Sequence, residues 1–283
     1  MNDGLPEGRG GHDARERPLG FASQSAKAWR DLADGLRMHR VWTMLARMDI
    51  RQRYRRSILG PFWITIAMIV WIAAIGPLYS LLLGIGSREF IPYLAMGIIT
   101  WGLLSGLILD GAAAFVGAEQ LVRSMKLPYT VHVMRVLQRN LIIFAHNLLA
   151  FLPFMLWLGI APRWEWLWAI PGVALILLAS LPAAYLLGTL SARFRDLQQM
   201  IASVVQLAFF LTPIFWKPEL LGAHRWAADY NPFQQLIEAV RGPVVAGLPP
   251  LEVYGRIALM LLVMYLVAAP FFIRYRRRLA FWV

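Results

Sequence analysis

The sequence predicts an all-α membrane protein, and three observations carry that prediction. Of 283 residues, 59% are hydrophobic and only 16% charged, against roughly 45 to 50% apolar and 25% charged in soluble domains. The charged residues leave uncharged stretches of 31 residues (57–87), 20 (90–109), 23 (140–162), 27 (166–192), 20 (197–216) and 17 (257–273), and a membrane-crossing helix needs about 20. These stretches are solidly apolar instead of alternating, which points to helices and away from the strands of a barrel. Six transmembrane helices follow, at about 60–84, 91–115, 140–160, 167–190, 198–216 and 255–273. The fifth carries Gln198, Gln199, Ser203 and Gln206, and the sixth is the shortest.

Orientation follows from the basic residues. With the N-terminus inside, the segments on that side hold 22 of the 28 Lys and Arg residues. The positive-inside rule therefore places both termini of a multi-pass membrane protein in the cytoplasm. The net charge of +12 then belongs to membrane anchoring, and no nucleic-acid partner is expected.

Residues 1–24 are Gly-rich and charged and are expected to be a disordered tail. Residues 25–56 read as an amphipathic interface helix followed by a basic anchor. At 100° per residue Met38, Val41, Trp42, Leu45 and Met48 share one face, and Arg40, Thr43, Arg47 and Arg51 the other. The anchor "RQRYRRSILGPFW" places Arg51, Arg53, Arg55 and Arg56 at the inner end of the first span, and Gly60 and Pro61 let the chain turn from lying on the membrane to crossing it.

The loop "GAEQLVRSMKLPYTVHVMR" is a compact basic segment in which Glu119 to Met125 form a short helix ending before Pro128. On the outer side, residues 217–253 read as two short amphipathic helices split by "DYNP", too short to span and suited to re-entrant elements forming a lid. Residues 57–276 thus make one transmembrane domain, and 277–283 a cytoplasmic tail.

Catalysis finds little support. Zero cysteines exclude disulfides and thiolate metal sites, no metal-ligand spacing stands out, and no lysine follows a glycine, so a P-loop is absent. ATP hydrolysis, if any, belongs to another polypeptide. Polar residues inside the predicted spans are few. Asp110 is either a structural partner for an arginine or a transport residue, and His146 and Asn147 are candidates for hydrogen bonds between helices. The 12 Trp, 9 Tyr and 15 Phe include an interfacial belt. Tyr93, Trp101, Phe210 and Phe215 are the candidates for a conduit in which rings stack on sugar faces.

From about residue 25 to 280 the chain resembles the permease subunit of type-2 ABC exporters, in the branch that exports O-antigen, capsule and related polysaccharides. The resemblance rests on the order of "RYRRSILGPFW", "GAEQLVRSMKLPY", "RNLIIFAHN", "TPIFWKPELL" and "NPFQQLIEAVRGPVV". It departs from the family at "KLPY", where many relatives carry Phe-Pro-Arg. The resemblance implies a subunit that pairs with a second copy of itself and with two P-loop ATPase subunits that bind ATP and Mg, the permease holding no cofactor and no enzymatic site. Its implied substrate is a lipid-linked glycan. Glu119, Arg123 and Lys126 would then couple to the ATPase. Arg51, Arg53, Arg55 and Arg56 would meet membrane lipids or the substrate's phosphates at the entrance, and Trp216, Pro218, Asn231, Pro232 and Arg241 would belong to the outer gate. Teichoic acid, drug and lipid exporters of the same architecture remain alternatives, as do a proton-coupled carrier and a membrane-embedded glycan-modifying enzyme.

Overall fold

The structure is a computed structural model that describes residues 21–53, 55, 57–60 and 62–283. Of the expected tail, residues 1–20 lie outside the described residues, as do Tyr54, Arg56 and Pro61. Residues 21–24 belong to the first helix.

The described residues form helices and connecting turns, with no strand among them. α1 (Phe21–Arg37) and α2 (His39–Arg53) lead through Gly60 to α3 (Phe62–Leu83). Gly60 has φ +55, a left-handed conformation open to glycine at little cost. α4 (Ser87–Ala112) is followed by the short α5 (Glu119–Ser124) and by α6 (Tyr129–Leu149), which bends into α7 (Leu152–Leu158). A 3-10 turn (Trp164–Trp168) opens α8 (Ala169–Arg193), and α9 (Leu197–Leu211) comes next. A kinked 3-10 segment (Pro218–His224), α10 (Trp226–Asp229) and α11 (Pro232–Val245) lead to the long α12 (Leu251–Trp282).

Five stretches are long and apolar enough to cross a membrane: Phe62–Leu83, Ser87–Ala112, Tyr129–Leu158, Trp164–Arg193 and Leu251–Trp282. The expected fifth span is shorter than that. α9 has 15 residues, about 22 Å at the usual helical rise, because Pro213 disfavours helix at the residue before it and Thr212 is extended.

α4 is the most buried of the five stretches and touches α3, α6, α8, α9 and α11. α3 and α12 keep most of their surface outward.

Two boundaries differ from those expected, for physical reasons. α6 begins at Tyr129, directly after Pro128, so Arg135 and Arg139 lie inside the helix and not in the loop before it. Their charges are met by acids from other helices, as described below. On the far side, the first of the two expected amphipathic helices is broken at Gly222 (φ +51). The second, α11, is no surface lid: Leu236, Ile237, Ala239 and Val240 are buried and it packs on α4, α8 and α12. Gly172 of α8 makes this approach possible, since a Cβ there would run into the Ala239 carbonyl.

Candidate functional site

The chemistry of the chain gathers at its two ends. At the basic end, α2 packs on α6 with Trp42, Ala46 and Ile50 inward or half-buried. Met44 and Met48 are exposed beside Arg40, Arg47 and Arg51. The apolar face expected to include Met48 is therefore rotated, because the protein itself occupies the other side. Asp49 takes two hydrogen bonds from Arg135 and one from Arg139 at 2.9 Å. Arg139 also pairs with Asp110 at 2.8 Å, and Asn140 donates to the same carboxylate at 2.8 Å. Of the two readings of Asp110, it is thus the structural partner of an arginine.

Asp31 is the second knot. Its carboxylate is buried and accepts from the backbone N–H groups of Tyr129 and Thr130, both at 3.0 Å, from the Thr130 hydroxyl at 2.8 Å, and from Arg276 at 2.9 Å. It caps the start of α6, whose own first residues lack a side-chain cap, with a negative charge at the positive end of the helix dipole. Thr130 further contacts the Tyr185 hydroxyl of α8 at 2.6 Å. One acid therefore joins α1, α6 and α12, with α8 one bond away. Sequence reasoning did not single out Asp31 or Asp49. The available signal was the lone acid Asp49 among the arginines of α2, and Asp31 with Asp34 in α1.

α5 stands at the same end. Glu119 pairs with Arg123 at 2.9 Å and Arg195 at 3.6 Å, and Arg123 donates to the Val283 carbonyl at 2.7 Å. Lys126 is exposed beyond the end of α5. The helix is therefore braced against the ends of α8 and α12. Arg51, Arg53 and Arg55 are exposed and have no acidic partner among the described residues, while Arg56 lies outside them.

At the opposite end Arg241 is 1% exposed. Its guanidinium donates to the Pro213 carbonyl and to Glu238, both at 2.8 Å, and lies 3.8 Å over the Tyr93 ring. The Tyr93 hydroxyl donates to the carbonyls of Pro213 and Trp216 at 3.1 and 3.0 Å. Asn231 caps α11 by accepting from the N–H groups of Phe233 and Gln234 and reaches back to Thr212, and Pro232 takes the first helical position. Pro218 opens the 3-10 segment next to Lys217, which pairs with Glu89. Arg241 thus ties together the segment from Pro213 to Trp216, α4 and α11.

The four aromatic candidates separate. Trp101 is buried between Phe209 and Phe233, and Phe215 packs on Trp71, Tyr79 and Phe209. With Tyr93 held as above, only Phe210 among the four is exposed. His146 donates within its own helix to the Ile142 carbonyl, while its backbone carbonyl accepts from the Thr65 hydroxyl of α3.

Residues 39–245 match the family model described as ABC-2 type transporter. The chain belongs to this family. It is a type-2 ABC permease, and the matched span runs from α2 through α11. Among curated relatives it is 31% identical over 185 residues to the O-antigen export system permease protein RfbA of Myxococcus xanthus, covering 61% of this chain and 66% of that protein. It is 20% identical over 196 residues to the protein of the same name in Klebsiella pneumoniae, covering 69% of this chain and 76% of that one.

Proposed function

We propose that the chain is the membrane-spanning subunit of an ATP-driven exporter that moves a lipid-linked polysaccharide of O-antigen or capsule type outward across the inner membrane. The observation that carries this reading is the similarity to O-antigen export permeases over the family-matched region. The subunit works as a pair of copies with two P-loop ATPase chains, which bind the ATP and Mg. α9 serves as the sixth membrane helix, completed by the segment up to Trp216, and both termini face the cytoplasm.

In this account α5 meets the ATPase through Glu119, Arg123 and Lys126. Its bracing on α8 and α12 means that a push on α5 reaches both of those helices. Arg51, Arg53, Arg55 and Arg56 meet membrane lipids and the phosphates linking lipid to glycan, because guanidinium edges match phosphate oxygens. Phe210, exposed on α9, offers a ring to the sugar chain. Trp101 and Phe215 back that surface through Phe209, while Tyr93 lines the cavity at the far end with Lys217 and Arg241. The segment from Trp216 to Pro218, with Asn231, Pro232 and Arg241, forms the outer gate. Export of teichoic acid, a drug or a lipid by the same architecture is the alternative. The proton-coupled carrier loses ground because Asp31, Asp49 and Asp110 are all held by arginines.

Deleting the gene and locating the lipid-linked glycan tests the reading. Polymer should accumulate on the cytoplasmic side, and unchanged surface glycan would refute it. Co-purification with a P-loop ATPase, and loss of its turnover in Glu119→Ala or Lys126→Ala, tests the coupling.

A further inference from the structure

A cleft of about 490 Å³ lies between the ends of α8 and α12, and none of its lining residues has been given a part above. Thr189, Arg193 and Phe194 line one side, and Tyr275, Arg278 and Trp282 the other. The sequence builds the second wall directly. Residues 271, 275, 278 and 282 recur at steps of four, three and four, so Phe271, Tyr275, Arg278 and Trp282 form one column on α12. Phe271 and Tyr275 have ring centroids 4.7 Å apart, and Tyr275 and Trp282 5.8 Å.

The two arginines are held by rings and not by acids. Arg193 lies over the rings of Phe194 and Trp282 at 5.7 and 5.6 Å, and Arg278 over Tyr275 at 5.9 Å. Neither has a carboxylate partner or a hydrogen-bond acceptor among the described residues. Their neighbours differ: Arg276 is taken by Asp31, Arg123 and Arg195 by Glu119, and Arg135 and Arg139 by Asp49. Thr189 is fully buried, and its hydroxyl also lacks a partner. The lining thus presents two uncompensated cations and no acid.

Position narrows the ligand further. The uncharged stretch of α12 ends at Ile273 and its basic run starts at Arg274, so the cleft sits where a membrane's hydrocarbon gives way to headgroups. Guanidinium forks match phosphate oxygens, and the flanking Leu190 and Phe271 suit the apolar part of an amphiphile. We propose that this cleft binds the phosphate of an anionic phospholipid, Arg193 and Arg278 holding the headgroup from either side. The inference does not depend on what the protein exports.

The test uses the full chain extracted from mixed vesicles of phosphatidylcholine and phosphatidylglycerol, with the retained lipids measured by native mass spectrometry. Wild type should retain phosphatidylglycerol in excess of its share in the vesicle. The pair Arg193→Gln and Arg278→Gln should lower that excess about tenfold or more, since each basic residue contributes about 1 kcal/mol toward an anionic headgroup. The pair Arg37→Gln and Arg225→Gln, exposed arginines already paired with Asp34 and Glu219, should leave most of it. Equal loss in both pairs, or none in the cleft pair, would overturn the proposal. Inorganic phosphate added as a competitor should not displace the lipid, and displacement at the cleft would assign the site to free phosphate instead. Circular dichroism and gel filtration establish that each variant is folded. If the double variant is not, Arg278→Gln alone, on the exposed lip, gives the same comparison at roughly half the effect on a logarithmic scale.

Discussion

At the basic end of the bundle, Asp31 and Asp49 have side chains 0% and 11% exposed, and each is held by arginines from other helices. At the opposite end, Glu89, Glu219 and Glu252 meet Lys217, Arg225 and Arg256 with carboxylates 64%, 60% and 80% exposed. The same residue types therefore do different work. A buried pair cannot lose one partner without stranding the other charge, whereas an exposed pair exchanges its partner for water at little cost. At the basic end these pairs fasten α1, α2, α6 and α12 together. At the far end, Arg241 is the one deeply buried charged side chain among the described residues. In the exporter proposed above, the fastened end lies beside α5 and the exposed pairs lie beside the proposed outer gate.

The largest expected effect comes from breaking the basic end. Asp31→Ala leaves Arg276 and the first N–H groups of α6 unpaired, and should destabilise the protein by about 3 to 5 kcal/mol, seen as a lowered thermal unfolding midpoint in detergent. Adding Arg276→Met should recover part of that loss, because the stranded charge is gone. Gly106→Ala comes next: its Cβ would meet the Asn140 side-chain oxygen, and displacing Asn140 from Asp110 should cost about 1 to 3 kcal/mol in the same assay. Tyr93→Phe removes the two hydrogen bonds to Pro213 and Trp216 and should cost about 1 to 2 kcal/mol. Lys217→Ala, half-buried itself but paired with the exposed Glu89, should change stability by less than about 1 kcal/mol. A Lys217 effect as large as that of Asp31 would erase the contrast between the ends.

Much of the fold was legible because burial in a membrane imposes length and apolarity on each helix, and the runs at 57–87, 90–109 and 166–192 became α3, α4 and α8. What could not be read was decided by distant partners. The start of α6 looked like a charged loop because Arg135 and Arg139 are neutralised by Asp49, some 86 and 90 residues away. α11 looked like a surface helix because its polar residues bond inward, Arg241 to Pro213 and Glu238, and Gln234 to Glu238. The facing of Tyr93 and Trp101 was hidden for another reason: in a helix apolar all round, periodicity carries no signal. Of the candidate site, the position of α5 and the exposure of Arg51, Arg53 and Arg55 were legible, and the two aspartate knots were not.

The chain has no cysteine, so paired cysteines can be introduced and joined with a short thiol cross-linker without background. One pair replaces Asp49 and Arg135, which face each other between α2 and α6 and whose removal leaves Arg139 its Asp110 partner, and the other replaces Glu89 and Lys217 at the far end. Surface glycan measured before and after cross-linking tests the contrast directly. The contrast between the ends predicts that the far-end link stops export and the link between α2 and α6 leaves it largely intact. Export that survives the far-end link but stops with the basic-end link would contradict it.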